Sequence, residues 1–527
     1  MCWNEKVLLK ILSEVFGYSR FKPLQLSIIR AILMNQNVFV QLMPGAGKSV
    51  CYQLPALLGE GVTVVISPLM ALMHDQVLAL RALNIAASYL DSSLNSIEQN
   101  ALYQALKSNQ IRLLYVSPER FKNQFFLSLI KEIKIDRFVV DEAHCISQWG
   151  HDFRKDYLNL RILADYLPSI PRVALTATAD TETKKDIIQA LSLSPIQLFE
   201  CYEHPEHLRV NFLPKNNVKQ QLLQFLKNRP ESECGLVYCF SRNQAEKIAH
   251  FLEQEGYKTY LYHAGLATHI RLLNQKLFKT AKSGIMVATI AFGLGIDKPN
   301  IRFVAHLNLP TSIERYIQEA GRAGRDGLPA VSWVCYGLND FILQNECIKN
   351  DELADQQKKL KLKKLRQMLM LCDTPLNKKT LLQQYFTFER DLETFCSNEP
   401  GERSTDISPY AVSILTVVFY TDQNANITET IQILQGKAGQ LKEQFKLFNT
   451  MIFGSYPQTS TTFWRSIIRC MLGLNLLEVS NRAQLLRLTP CSITFMKKKP
   501  TLWIRKEVLS HSVAVNYLPP SPIKANS

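Results

Sequence analysis

Short apolar runs alternate with amphipathic stretches over residues 22–200 of the chain. Each run is long enough for one buried strand, and the stretch that follows it has apolar positions at helical spacing. Strands that alternate with helices in this way predict a domain built on a parallel sheet. The predicted strands are Val38–Leu42, Val62–Ile66, Ile111–Val116, Phe138–Val140 and Arg172–Leu175.

The same alternation returns over residues 204–336. It predicts a second sheet that is buried between helices. Two similar lobes in tandem predict a cleft between them. The strands predicted for the second lobe are Cys234–Cys239, Thr259–Tyr262, Ile285–Ala288 and Phe303–His306.

The pattern changes after Asp340. Residues 351–381 are rich in Lys, Leu and Gln and predict one or two helices, and residues 393–405 form a turn-rich connector. From Asp406 a compact helical pattern closes with the strand-like runs LLEV and QLLRLT, which favours a small winged-helix domain. The predicted domains are therefore 1–203, 204–345, 346–402 and 403–500, with a tail over 501–527.

Composition adds a basic charge to this picture. The chain has 527 residues, of which 46% are apolar and 20% charged, so several domains can each bury a core. The net charge of +15 suits a polyanion such as nucleic acid, because each neutralised phosphate releases counterions. Charge alone leaves a merely basic soluble protein as an equal alternative.

The N-terminal segment lacks the basic region, apolar core and cleavage site of a signal peptide. No apolar stretch approaches the ~18 residues of a membrane-spanning helix. We therefore predict a cytoplasmic protein that does not enter a membrane. The twelve cysteines are scattered through a large chain, and reduced thiols are the expectation there.

The first chemical motif directly follows the predicted strand Val38–Leu42. Glycines let backbone N–H groups approach phosphates, a lysine reaches the terminal phosphates, and a serine hydroxyl can ligate Mg²⁺. The strict phosphate-loop pattern fails at Leu42, which stands where the first glycine would be. A glycine-rich turn with a chance lysine is therefore the alternative. The candidate ATP-binding residues are Gly45, Ala46, Gly47, Lys48 and Ser49.

The second motif is FVVDEAH at residues 138–144. A predicted strand delivers Asp141 and Glu142 at its carboxyl end, which is where ligands bind in open α/β sheets. Asp141 would hold Mg²⁺, and Glu142 would orient and deprotonate the attacking water. His144 is close enough in sequence to sense both the nucleotide and neighbouring loops. An isolated acidic pair is usually a solvated turn, but this pair follows a phosphate loop in the same predicted sheet.

These motifs and their neighbours resemble the RecQ family of helicases. DEAHCISQWGHDFRKDY at 141–157 contains the aromatic-rich loop that follows the acidic motif in that family. The resemblance implies two tandem RecA-like α/β lobes, each with a parallel sheet, then a helical linker and a winged-helix domain. The other matching segments are FGYSRFKPLQ (16–25), VVISPLMALMHDQV (64–77), LLYVSPERF (113–121), ALTATA (174–179), VYCFSR (237–242), YHAGL (262–266), VATIAFGLGIDKP (287–299) and YIQEAGRAGRDG (316–327).

The resemblance assigns roles to matching residues. Tyr18 would stack on adenine and Gln25 would hydrogen-bond its edge, while Lys22 stands where most members have arginine. From the second lobe, Arg325 with Arg322 would stabilise charge on the transferred phosphoryl group, and Gln318 would help sense the γ-phosphate. The residues implied to couple DNA binding to hydrolysis are His144, Trp149, Phe153 and Arg154. Core packing is the alternative role for Trp149.

The function implied is ATP- and Mg²⁺-dependent DNA unwinding, with 3′ to 5′ translocation on single-stranded DNA, in repair and recombination. The partners implied are single-stranded DNA and duplex junctions, and we expect a monomer. Two alternatives stay open. One is an RNA helicase of the same superfamily, and the other is a DNA-binding protein whose motor has decayed.

Three features depart from the family pattern. Met43-Pro44 replaces Pro-Thr in the phosphate loop, which removes a backbone donor and a hydroxyl. Asn377 takes the position of the first zinc-binding cysteine, and Cys396 alone represents the later cysteine cluster, so we predict no structural zinc. The predicted wing around Ser480–Gln484 is short and has no aromatic tip, which leaves strand separation less certain than hydrolysis.

Overall fold

The computed structural model divides the chain into two compact units. The first is residues 1–204 with 293–298 and 317–322, and the second is 205–292, 299–316 and 323–527. The residues that the structure describes are 4–147, 154–202, 205–293, 298–387, 404–437, 439–446, 452–480, 483–498 and 500–509.

The first unit is built on a seven-stranded parallel sheet with the order β3-β4-β2-β5-β6-β1-β7. Its strands are β1 (Asn37–Leu42), β2 (Val62–Ile66), β3 (Ala87–Leu90), β4 (Leu113–Val116), β5 (Ile135–Val140), β6 (Arg172–Thr176) and β7 (Ile196–Cys201). Its helices are α1 (Glu5–Phe16), α2 (Gln25–Leu33), α3 (Lys48–Leu58), α4 (Met70–Ala82), α5 (Ser96–Lys107), α6 (Gln124–Glu132), α7 (Ile162–Tyr166) and α8 (Thr181–Ala190).

Apolar side chains cover both faces of this sheet. Along β1, Phe39 packs into one core cluster, while Val38 and Val40 pack into the cluster on the opposite face. A strand that is buried on both faces reads as a continuous apolar run, which is why the five predicted strands are found. The two additional strands lie at the sheet edges, where β3 is short and β7 is half-exposed.

The second unit begins with a six-stranded parallel sheet of order β10-β11-β9-β12-β13-β8. The four predicted strands are present, and β8 and β13 extend the sheet on one side. The strands are β8 (Leu208–Pro214), β9 (Cys234–Tyr238), β10 (Thr259–Tyr262), β11 (Gly284–Ala288), β12 (Ile301–His306) and β13 (Ala330–Tyr336). The helices are α9 (Val218–Lys227), α10 (Arg242–Gln254), α11 (Thr268–Thr280), α12 (Ile313–Ala320), α13 (Leu338–Asn350), α14 (Asp355–Asp373) and α15 (Lys378–Thr387). Helix α12 begins in the second unit, and its residues from 317 onward are counted with the first.

The same unit ends in a small domain of helices and short antiparallel strands. Strands β15 and β16 lie in the predicted strand-like runs LLEV and QLLRLT and pair with each other, whereas residues 481–482 of the predicted wing lie outside the described residues. Strand β17 lies beyond residue 500, where we placed the boundary of this domain, and pairs with β14 at the start of the domain. The strands are β14 (Ser404–Asp406), β15 (Leu477–Val479), β16 (Leu486–Leu488) and β17 (Trp503–Arg505), and the helices are α16 (Ser408–Tyr420), α17 (Ile427–Gln435), α18 (Gln440–Gln444), α19 (Thr461–Gly473), α20 (Pro490–Lys498) and α21 (Lys506–Leu509).

Helix α14 connects the second sheet to this small domain. It packs on both α13 and α19, which also contact each other. A Cβ on Gly473 of α19 would lie 3.2 Å from Met370 Cγ, so the two helices approach closely there. Within the described ranges, the structure contains no helix with the length and apolar character of a membrane span.

Candidate active site

The phosphate loop and the acidic motif meet at one edge of the first sheet. Strands β1 and β5 are separated only by β6, and all three run parallel, so their carboxyl ends lie side by side. The phosphate loop follows β1, the acidic motif follows β5, and the Thr176–Thr178 segment follows β6. The sheet therefore brings the two predicted nucleotide-binding elements together.

The phosphate loop joins Leu42, at the end of β1, to Lys48, at the start of α3. Gly45 and Gly47 have φ of +80° and +78°, a backbone conformation that favours glycine. Among the described residues, no side chain caps the helix end that follows Gly47. The N–H groups of the first turn can therefore bind an anion, which the helix dipole also favours.

The segment before α2 braces this loop. Lys22 Nζ donates to Gly45 O at 2.7 Å, and Gln25 Nε2 donates to Gly47 O at 3.0 Å. A Cβ on Gly47 would lie 2.6 Å from Gln25 Nε2, so a larger residue there would displace this amide, and the φ of +78° independently favours glycine. Burial lowers the pKa of Lys22. Contact of Gln25 with an adenine edge stays a prediction, as does stacking by Tyr18, whose ring is exposed.

Backbone contacts hold the acidic motif in place. The N–H of Asp141 donates to Ile66 O at 2.9 Å, and its carbonyl accepts the Tyr157 hydroxyl at 3.2 Å. The N–H of Glu142 donates to Asp141 Oδ1 at 3.0 Å, and Glu142 has a φ of +49°. These contacts fix the backbone of both residues at the strand end, and one of them also holds the Asp141 carboxylate.

The electrostatics of the pair favour a bound cation. Burial, and then the charge of Glu142, raise the pKa of Asp141 to about 7, although the nearby charge of Lys48 opposes this shift. A divalent cation beside the carboxylate would favour its ionised form. Ser49, which hydrogen-bonds Tyr52, supplies a hydroxyl at the start of α3. A hydroxyl, a carboxylate and a lysine match the hard ligands and phosphate contacts that Mg²⁺–ATP requires.

His144 lies wholly inside the first unit. Its Nδ1 is 3.3 Å from Glu142 Oε2 and 3.1 Å from Thr176 Oγ1 at the end of β6. Burial lowers the pKa of His144, but the neighbouring Cys145 sulfur and the Glu142 carboxylate outweigh it and raise this pKa to about 10. His144 therefore links two strand ends and does not offer a surface for direct contact with DNA.

Thr176 and Thr178 belong to the site but were not singled out as site residues from the sequence. Thr176 Oγ1 accepts the N–H of Thr178 at 3.2 Å and contacts His144. The available signal was the ALTATA segment at the end of a predicted strand. Hydroxyl residues in such a run are common in turns, so the sequence gives no reason to select them.

Arg154 follows the predicted coupling loop and anchors its end. Its Nη1 donates to Pro68 O at 2.6 Å, and its N–H donates to Cys145 O at 3.0 Å. The guanidinium thus joins the end of this loop to the segment after β2. Trp149 and Phe153 lie outside the described residues, so their role in DNA coupling stays a prediction.

The predicted catalytic arginines follow α12. Gln318 lies on this helix, Arg322 is buried, and Arg325 is partly exposed. Between the arginines, Gly324 has a φ of +68°, and its N–H donates to Ile301 O at 2.8 Å. A glycine in the left-handed conformation therefore fixes the turn that presents Arg325.

A phosphate loop, an acidic strand end and an arginine turn on two parallel sheets define the class of DEAD/DEAH-box helicases. Residues 22–187 match the DEAD/DEAH box helicase family, residues 217–327 the helicase conserved C-terminal domain, and residues 401–513 the RQC domain. The chain is similar to the ATP-dependent DNA helicase RecQ of Pasteurella multocida, with 36% identity over 89% of this chain and 74% of that protein. The RecQ of Haemophilus influenzae is also 36% identical, over 94% and 80%. The chain therefore belongs to the RecQ family of ATP-dependent DNA helicases.

Solved structures agree with this fold. The DEAD-box helicase Mss116 bound to single-stranded RNA has a TM-score of 0.54 at 17% identity, covering 75% of this chain and 89% of that one. Mycobacterium smegmatis helicase Lhr, bound to single-stranded DNA and AMP-PNP, has a TM-score of 0.51 at 16% identity, covering 90% and 59%. Identities this low support the fold, with its parallel-sheet lobes, and nothing finer.

Proposed function

We propose that this chain uses ATP hydrolysis to move 3′ to 5′ along single-stranded DNA and to separate duplex ahead of it, in DNA repair and recombination. The observation that carries the proposal is the intact set of Lys48, Asp141 and Glu142 at one sheet edge. Bound Mg²⁺–ATP would supply the phosphoryl group, with the metal neutralising its charge. Zinc is not part of the proposal.

Each candidate site residue near the phosphate loop and the acidic motif has a definite task in this proposal. Lys48 binds the terminal phosphates, and Ser49 and Asp141 hold the metal. Glu142 accepts a proton from the attacking water, and its contact with His144 orients the carboxylate. Lys22 and Gln25 keep the loop in its glycine-dependent conformation through contacts with Gly45 and Gly47.

The remaining catalytic groups lie on α12 and in the turn that follows this helix. Arg325, with Arg322, stabilises negative charge on the transferred phosphoryl group, and Gln318 responds to the γ-phosphate. The aromatic loop containing Trp149 and Phe153 binds unpaired bases, because an aromatic ring can stack on any base. Base stacking in that loop would thereby couple DNA binding to the neighbouring acidic motif.

The two alternatives are less well supported. The two relatives at 36% identity are DNA helicases by name. The likeness to an RNA-bound helicase, at 17% identity, is one of fold alone. A decayed motor would be expected to lose Lys48, Glu142 or Arg325, and all three are present. We further propose that the chain acts as a monomer in the cytoplasm.

One experiment tests the proposal directly. ATP hydrolysis is measured without nucleic acid, with single-stranded DNA and with single-stranded RNA, and unwinding is measured on duplexes with a 3′ or a 5′ tail. We expect stimulation by DNA and unwinding of the 3′-tailed duplex. Stimulation by RNA alone would favour an RNA helicase, and DNA binding without hydrolysis would favour a decayed motor.

A further inference from the structure

Helix α12 is anchored at its N-terminal end by a buried charge. Glu314 is its second residue, and the side chain is only 1% exposed. Lys364 of α14 lies 2.8 Å away from Glu314 Oε1, with its own side chain 7% exposed. Tyr385 of α15 donates its hydroxyl to the same oxygen at 3.0 Å. One carboxylate oxygen therefore joins three helices.

Lys364 is distinguished from its neighbours by burial. It lies in the run KKLKLKK at 358–364, in which Lys359, Lys361 and Lys363 are exposed. A buried ammonium loses its hydration and requires a partner, and Glu314 provides one. Although burial alone would raise the pKa of Glu314, the Lys364 ammonium outweighs it and holds this pKa below its usual range. The pair is thus ionised and specific in its geometry.

The anchor lies one turn from a predicted catalytic residue. Gln318 follows Glu314 by four residues on α12, and the turn with Arg322 and Arg325 begins where the helix ends. A helix moves as a rigid element, so a shift at Glu314 displaces Gln318 and the start of the turn that carries the two arginines. We propose that Glu314, held by Lys364 and Tyr385, is a positioning residue for ATP hydrolysis.

This inference rests on the proposed roles of Gln318, Arg322 and Arg325. It also gives α14 and α15 a function, because the position of the catalytic turn then depends on how these two helices are seated. The winged-helix domain packs on α14 through α19. Movement of that domain would therefore reach the catalytic turn through Lys364.

The chain contains a matched control for this cluster. Asp373, at the end of α14, is also a buried carboxylate with one cation and one tyrosine: Arg469 Nη2 lies 2.9 Å from Asp373 Oδ1, and the Tyr336 hydroxyl donates to it at 2.7 Å. The two side chains of this ion pair are 5% and 4% exposed. Asp373 and Arg469 join α14 to α19 and do not involve α12.

The test compares Lys364→Met with Arg469→Met, using a short single-stranded DNA so that duplex binding does not contribute. Both substitutions leave a buried carboxylate without its cation, so we expect a similar fall in melting temperature. Lys364→Met should lower the DNA-stimulated kcat about tenfold or more, because misplacing catalytic groups by about 1 Å costs up to ~10²-fold. The KM for ATP should stay within about twofold of wild type, since the ATP-binding loop is unchanged.

Further variants distinguish misplacement of the catalytic groups from a general loss of stability. The double variant Glu314→Gln/Lys364→Met removes both charges and should recover part of the lost kcat. Tyr385→Phe, compared with Tyr336→Phe, repeats the test with the loss of one hydroxyl and decides the question if Lys364→Met does not fold. A wild-type kcat in Lys364→Met, or equal losses of kcat in Lys364→Met and Arg469→Met, would overturn the proposal. A wild-type protein that DNA does not stimulate would instead contradict the proposed function.

Discussion

Single residues in the acidic motif are held by several partners at once. Glu142 contacts His144, His144 contacts Thr176, and the carbonyl of Asp141 accepts the Tyr157 hydroxyl. Such connected hydrogen bonds fix side-chain geometry in a way that one contact does not. Substitutions in this motif should therefore reduce the rate of ATP hydrolysis more than they reduce the stability of the folded protein.

Substitutions at Lys48 and at Glu142 should affect ATP binding and ATP hydrolysis differently. Lys48→Ala removes the phosphate contact, and we expect both ATP binding and turnover to fall. Glu142→Gln keeps the shape but removes the base, so turnover should fall by about 10²–10⁴-fold with ATP binding largely retained. Binding is measured with a fluorescent nucleotide and turnover by phosphate release. Hydrolysis by Glu142→Gln at the wild-type rate would rule out the assignment.

Because of Asp141, the Mg²⁺ concentration needed for ATP hydrolysis should depend on pH. Its pKa is raised to about 7 by burial and by Glu142, so a proton competes with the metal as pH falls through 7. The Mg²⁺ concentration that gives half-maximal hydrolysis should rise up to about tenfold per pH unit below 7. Titrations of Mg²⁺ at several pH values check this, with Asp141→Asn as the variant whose residual activity should lose the dependence.

The raised pKa of Asp141 also changes the stability of the folded protein with pH, in a direction that can be stated. A carboxyl with a raised folded pKa stabilises the metal-free protein at low pH, below its ordinary pKa, and that contribution is lost as pH rises through about 7. Addition of Mg²⁺ should therefore raise the melting temperature more at pH 8 than at pH 6. An equal effect of Mg²⁺ at both pH values would indicate that Asp141 does not bind the metal.

At the scale of elements, the loop between Cys145 and Arg154 is fixed at its end by Arg154, which bonds Pro68 O. Trp149→Ala or Phe153→Ala should abolish stimulation by DNA and unwinding while basal hydrolysis continues. Stacking on a base is worth about 1–3 kcal/mol, enough to shift a loop between two arrangements. Hydrolysis with and without single-stranded DNA tests this. Full stimulation in Trp149→Ala would make Trp149 a packing residue.

Helices α14 and α15 bear on the prediction about zinc. Asn377, which we predict to replace a zinc-binding cysteine, uses its side chain to cap α15, since Oδ1 accepts the Lys379 N–H at 2.9 Å. The described residues contain no cluster of three or more His, Cys, Asp or Glu side chains that could hold a metal ion, and Cys396 lies outside them. We expect protein purified without an affinity tag to contain less than about 0.1 zinc per chain by elemental analysis, because a closed site needs four donors.

The contrary result is equally clear. One zinc per chain, retained through treatment with a chelator and lost on Cys396→Ser, would mean that the sequence was misaligned in this module. A chain without zinc must stabilise α14 and α15 by other means, since metal binding contributes much of the folding free energy of such modules. The buried pairs Lys364–Glu314 and Arg469–Asp373 are available for that purpose.

Local pattern was enough to predict the central strands, but not contacts between distant parts of the chain. Val38–Leu42 is apolar throughout because both faces of β1 are buried. Strand β7 was missed because an edge strand lacks that signal. The bracing of Gly47 by Gln25 and the burial of Lys364 also have no local signature. In sequence, Lys364 is one lysine among several, and only tertiary packing distinguishes it.

At the scale of the whole molecule, the motor motifs are divided between two compact units, while the winged-helix domain belongs to the second unit alone. Within that unit, Arg505 of β17 donates to Cys372 O at 2.7 Å and to Phe212 O at 3.3 Å. A residue near the end of the described chain thus bonds to the end of α14 and to the edge strand β8 of the second sheet.

The pairing of β17 with β14 has a consequence for biosynthesis. A ribosome makes the chain from its N-terminus, so the partner of β14 is synthesised about a hundred residues after β14 itself. The first lobe can fold while this domain is still incomplete, and the two carbonyls that Arg505 binds lack this donor until residue 505 has been synthesised. A chain that stops at Pro500 should therefore keep a protease-resistant first lobe but show rapid cleavage after residue 404. Equal resistance of the shortened and full chains would show that closure by β17 is dispensable.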